Sequence, residues 1–150
     1  MLQGGIEHIG IKEGVIRALA VKEAIGKASL VLLDEYSKIS KDKMLLRWAI
    51  GNTIYITITE DDVEQILHII QDKENGMSRQ MFVAALGKTT SGKAEDVLIK
   101  LLDDDEVVVQ ALEALCRMKS KKSIEKILTL INHPKALVKK EAQKVLKKLS

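Results

Sequence analysis

The chain has 150 residues, 46% of them apolar, but only one Pro and 3% aromatic side chains, with 30% charged residues. A core built from Leu, Ile, Val and Ala favours amphipathic helices over a sheet sandwich, and the length suits one domain or a short array of stacked units. The single Cys116 excludes an internal disulfide, and no apolar run is long enough to span a bilayer, so a cytoplasmic protein with no membrane association is expected. The net charge of +3 hides a polarity: residues 117–150 hold eleven Lys/Arg against two acids, while the preceding 116 carry an excess of acids.

Read from the front, GVIRALAV at residues 14–21 is an apolar helical segment with a small residue, Ala18, at its centre. Equivalent segments recur as LLRWAIGN (45–52), MFVAALGK (81–88), QALEALCR (110–117) and EAQKVLKK (141–148), placing Ala49, Ala85, Ala114 and Val145 in the same slot. A small residue recurring about every thirty positions marks a helix that approaches its neighbours closely once per repeat. Each of these B helices after the first follows another amphipathic stretch, an A helix: ASLVLLDEY (28–36), DDVEQILHII (62–70), AEDVLIKLL (94–102) and KSIEKILTLI (122–131). In the last of these, Ile124, Ile127, Leu128 and Ile131 recur at helical spacing.

By register the first B helix runs from Gly5 to Ala20, so only Met1 to Gly4 precede it and it has no A partner. Ile9, Ile11, Val15 and Ile16 would lack half their cover, which points to the C-terminal part of a longer array, or to an end that packs on another molecule, self-association included. The stretch NTIYITIT (52–59) is strand-like on propensity, but register makes it the tail of a B helix and the link to the next repeat. GKTTSGKA (87–94) nearly spells a phosphate loop. It follows a helix rather than a strand, and Ala94 stands where the magnesium-binding hydroxyl belongs, so it reads as the loop between repeats, with Gly87 or Gly92 helping to terminate or turn the chain. The acids Asp103 to Glu106 are expected to cap the following B helix, and Pro134 to sit in the first turn of the last one. The three histidines fall in separate repeats, so neither a metal nor another cofactor is expected, nor is an enzyme.

Helix A, an acidic or Pro-containing turn, then the pattern V-[RK]-x-x-A-x-x-A-L-G, best matched at residues 107–116 and 138–147, resembles HEAT repeats of the phycobilisome-lyase-like type. That resemblance implies an all-α fold, a right-handed α-α superhelix of about four helical hairpins plus an N-terminal unpaired helix, over a single domain spanning residues 1–150. It further implies that the B helices line a concave face and that this face holds a protein partner without catalysis. Two alternatives from other classes are a nucleic-acid-binding protein related to the HEAT-like alkylpurine DNA glycosylases and a bilin lyase-type protein.

On the B helices, positions one before and three after the small residue turn away from the core. Together with the next residue along the Trp48 stripe, they supply the candidate partner-binding set Arg17, Trp48, Asn52, Tyr55, Lys88 and Arg117. Trp48, the only tryptophan, is either an interface anchor or rim packing over a neighbouring A helix. The last helix turns Val138, Ala142, Val145 and Leu149 inward and Lys139, Lys140, Lys144, Lys147 and Lys148 outward, as a soluble cap requires.

Overall fold

A computed structural model describes residues 29–150, so Arg17, Ala18 and the rest of the first B segment lie outside the described residues. Among the described residues there are eight α-helices and no strand. They are α1 (Ser29–Lys38), α2 (Met44–Thr57), α3 (Val63–Gln71), α4 (Gln80–Leu86), α5 (Gly92–Leu101), α6 (Val108–Arg117), α7 (Ile124–Leu128) and α8 (Ala136–Leu149). Consecutive helices pack in pairs, α1 on α2, α3 on α4, α5 on α6 and α7 on α8. The second members pack in file, α2 on α4, α4 on α6 and α6 on α8.

Apolar spacing explains most of this arrangement. Val63, Ile66, Leu67 and Ile70 put one buried stripe on α3, and α6 buries Val108, Ala111, Leu112, Ala114 and Leu115. Helix α4 is apolar all round because it is flanked on both sides: Phe82 through Leu86 are all buried between α2 and α6. Ala85, Ala114 and Val145 are fully covered, whereas Ala49 is half-buried.

The strand-prone stretch is helical through Thr57. Ile50 and Ile54 are wholly buried, and the hydroxyls of Thr53 and Thr57 donate to the carbonyls of Ala49 and Thr53, both at 3.1 Å. Burial supplies the stabilisation, and back-bonding satisfies the threonine hydroxyls without strand partners.

The turn between α3 and α4 is a 3-10 segment, Lys73–Arg79, broken at Gly76, whose φ of 58° and ψ of −143° favour glycine. Around it lies a polar cluster: Tyr36 Oη lies 2.7 Å from Ser78 Oγ, Arg47 donates to Asn75 Oδ1 at 2.6 Å while its Nε stays unpartnered, and the Arg47 guanidinium stacks 4.2 Å from the Tyr36 ring centroid. Gly76→Ala is expected to cost about 1–2 kcal/mol, since an L side chain must adopt that conformation. Urea unfolding measures it, and an unchanged midpoint would show that the turn relaxes freely.

Three local expectations are corrected. The acids at 103–106 do not cap α6, whose N-cap position is Val107 with no side-chain cap. Asp104 Oδ2 and Glu106 Oε1 instead each accept from Arg79 at 3.0 Å, and Arg79 is wholly buried. Pro134 lies two residues ahead of α8 rather than inside its first turn, and His133 Nδ1 accepts from the Lys135 amide. Helix α7 ends at Leu128, which is exposed, and Leu130 turns inward from the following turn. Gly87 does follow the last residue of α4, but with φ −63° it makes no left-handed turn; a Cβ on it would lie 2.7 Å from Ala114 Cα.

Candidate interaction surface

The outward residues of the second layer come from equivalent turns of successive helices. Trp48, Asn52 and Tyr55 lie on one stripe of α2, Ala84 and Lys88 on and just beyond α4, Glu113 and Arg117 on α6, and Glu141, Lys144 and Lys148 on α8. Because these helices pack side by side, positions far apart in the chain become neighbours. A cleft of about 410 Å³ opens between them, with Ala84, Cys116 and Val145 along its floor, and Tyr55, Glu113, Arg117, Glu141, Lys144 and Lys148 around it.

Three of the six candidate residues converge at one edge of this cleft. Lys88 Nζ donates to the Tyr55 carbonyl at 2.5 Å and sits 4.8 Å from the centroid of the Tyr55 ring. Arg117 Nη2 donates to Tyr55 Oη at 3.0 Å, with its guanidinium carbon 5.9 Å from the same centroid. The ring quadrupole attracts both cations and so offsets part of their mutual repulsion. Burial pushes the Lys88 ammonium below its usual pKa, and the charge of Arg117 adds to the shift. Arg117 also borders a second cleft, of about 570 Å³, formed with the loop 87–91, and thus stands between the two.

Trp48 and Asn52 lie two turns and one turn before Tyr55 on the same helix. Trp48 is 37% exposed, with exposed Met44 and Leu45 beside it in sequence, and Asn52 is half-buried. They extend the surface beyond the cleft rather than lining it. Arg17 lies outside the described residues.

The carboxylates of the cleft were not among the candidates. Burial raises the Glu113 carboxyl above its usual range, and the nearby Glu141 adds to this while Lys144 and Arg117 oppose it. Their signal was position: Glu113 occupies the slot of Trp48, and Glu141 lies one turn before Lys144.

The near-phosphate-loop is accounted for locally. GKTTSGKA ends α4, turns, and opens α5, where Ser91 Oγ accepts from the Ala94 amide at 3.1 Å and Lys93 pairs with Glu64 at 2.9 Å. Among the described residues, no group of three His, Cys, Asp or Glu could hold a metal ion, and no helix is long and apolar enough to cross a membrane. Comparison with family models, with curated proteins and with solved structures finds no match.

Proposed function

We propose that this chain is a noncatalytic interaction scaffold, with its paired helices following the HEAT-like superhelical plan, and that it holds a protein partner along the face of α2, α4, α6 and α8. The observation that carries this reading is the meeting of Tyr55, Lys88 and Arg117, from three successive units, at the edge of an open cleft. A rigid layer presenting one or two outward residues per helix suits recognition of an extended partner, and such arrays bind along their layered faces. Tyr, Trp and Arg are also the side chains that most often dominate interface energetics.

Trp48 provides the test. It is partly exposed and makes no hydrogen bond that the fold needs, so Trp48→Ala is expected to leave the melting temperature within a few degrees. Affinity for a partner captured through a photo-crosslinker at Asn52 should fall about tenfold or more, as for an anchor residue. Equal affinity in a variant of intact stability would assign Trp48 to rim packing. Failure of any protein to crosslink at Asn52, while crosslinkers on the exposed side of α5 do capture one, would place the working surface on the other layer.

A further inference from the structure

Resting on the scaffold reading, and deepening it, is the chemistry of the Tyr55 edge. Lys88 and Arg117 are two cations held against one aromatic ring, and neither is in an ion pair with a carboxylate among the described residues. Glu113, one turn before Arg117, does not reach it within ion-pair distance, although it shares the cleft. Some exposed lysines elsewhere in the described chain do find acids, Lys93 with Glu64, Lys122 with Asp96 and Lys126 with Asp103, so what sets Lys88 and Arg117 apart is their meeting on one ring. Two like charges brought together repel unless an anion lies between them. The hydrogen bonds to Tyr55 fix both in place and leave further N–H donors on each.

Beyond Arg117 the positive character continues along α8. Lys144 and Lys148 border the same cleft, and Lys140 and Lys147 extend it over the outer side of that helix. Two features distinguish this stripe from a nucleic-acid track. Glu113 and Glu141 interrupt it inside the cleft, where they would meet the unbroken charge of a phosphate backbone with repulsion. Tyr55, the aromatic ring that lines the cleft, is already engaged by two cations, and Trp48 lies outside the cleft. A peptide, by contrast, can place a carboxylate at one position and a small apolar residue at the next, over the floor of Ala84 and Val145.

We propose that Lys88, Arg117 and Tyr55 form a carboxylate-recognition point, and that the partner segment is an extended acidic peptide running from this point over Lys144 and Lys148. An Asp or Glu side chain of the partner accepts from the Arg117 guanidinium and the Lys88 ammonium together, in the manner of charge-assisted pairs.

The experiment uses the whole chain and a fluorescein-labelled twelve-residue peptide of alternating Glu and Ala/Leu, followed by anisotropy at low ionic strength. Single- and double-stranded oligonucleotides, a Lys-rich peptide and inorganic phosphate serve as competitors. The acidic peptide is expected to bind, to weaken as salt is raised, and to lose about tenfold in affinity with either Arg117→Ala or Lys88→Ala. Lys122→Ala, which removes a cation paired on the other layer, should change nothing. Arg117→Glu should lose the acidic peptide and gain the Lys-rich one, a reversal that mere loss of packing cannot produce. Absence of peptide binding, equal binding by the Arg117 and Lys88 variants, or stronger competition by an oligonucleotide or by phosphate than by unlabelled peptide each overturns the proposal. If a protein still crosslinks at Asn52 and is insensitive to both variants, the scaffold reading stands and the acidic-peptide inference alone falls.

Discussion

Arg79→Met is expected to lower stability by about 3–5 kcal/mol. The side chain is wholly buried, and its guanidinium joins two successive turns. Nε donates to the Gly76 carbonyl at 2.8 Å, Nη1 to the Ile70 carbonyl at 3.1 Å and to Asp104 at 3.0 Å, and Nη2 to Glu106 at 3.0 Å. The planar fork of arginine meets these four acceptors at once, which a lysine cannot do. Methionine fills much of the volume but takes the Arg79 donor from Oδ2 of Asp104, whose side chain is 11% exposed, and from two inward carbonyls, leaving Asp104 only the Glu106 amide. Glu106 is about half exposed, so water takes over most of its share. For a chain of this size the loss corresponds to a melting temperature lower by roughly 10–15 °C.

The pH dependence supplies a second readout. Burial by itself would raise the Asp104 carboxyl, but the Arg79 hydrogen bond, the Glu106 amide, and the charges of Arg79 and Lys73 outweigh it and hold the group below its usual value. A carboxyl depressed in the folded state contributes stability above its unfolded pKa, and that contribution disappears as pH falls through the folded value. The gap between wild type and Arg79→Met should therefore be widest near neutrality and narrow below about pH 4. Adding Asp104→Asn and Glu106→Gln to Arg79→Met should recover part of the loss, because no buried charge is then left alone. A loss under about 1 kcal/mol for the single variant would mean that water enters and replaces the guanidinium.

Arg79 also shows where reading the chain reached its limit. It stands six residues before Ala85, the same distance at which Lys139 precedes Val145, so its place in the repeat was visible. Its partners were not. They lie 25 and 27 residues further on and meet it because consecutive turns stack. Without that stacking, acids ahead of a helix are most simply read as caps for its dipole.

The helices themselves were more legible, because a recurring small residue and an inward stripe carry three-dimensional information in one dimension. That is why register outweighed β-propensity at 52–57, where Ile54 and Thr57 prove to be core. Residues 124–131 depart from their apolar spacing. The apolar spacing there needs two full turns, but the chain leaves the helix after five residues, and the Thr129 hydroxyl bonds back to the Lys126 carbonyl. Around the cleft, register placed Tyr55 and Arg117 at outward positions of their helices and Lys88 just beyond the end of α4. That Tyr55 would bind both cations depends on the lateral spacing of α2, α4 and α6, which no single segment encodes.

That lateral spacing leads to the second large effect. Gly87→Ala is expected to cost about 2–3 kcal/mol, although its backbone angles suit any residue. The new methyl would lie 2.7 Å from Ala114 Cα and 3.0 Å from the Ala114 carbonyl oxygen, and backbone cannot rotate aside as a side chain can. The end of α4 must therefore move off α6. Two other glycines calibrate the result. At Gly51 the methyl would meet Met81 Cβ at 3.1 Å and the Phe82 ring at 3.4 Å, longer contacts than those at Gly87, so an intermediate loss is expected. At Gly92 nothing lies within 4 Å, and alanine should stabilise by about 0.5 kcal/mol through the unfolded chain. Denaturant midpoints in the order Gly92→Ala, wild type, Gly51→Ala, Gly87→Ala, from most to least stable, would establish that close approach rather than turn conformation requires glycine after α4. A Gly87→Ala protein as stable as Gly92→Ala would show instead that the layer yields there. The consequence reaches the surface, because Lys88 follows Gly87 directly and Arg117 follows Ala114 by three residues. Pushing these two backbones apart separates the cations that share Tyr55, so Gly87→Ala should weaken acidic-peptide binding even under conditions where it remains fully folded.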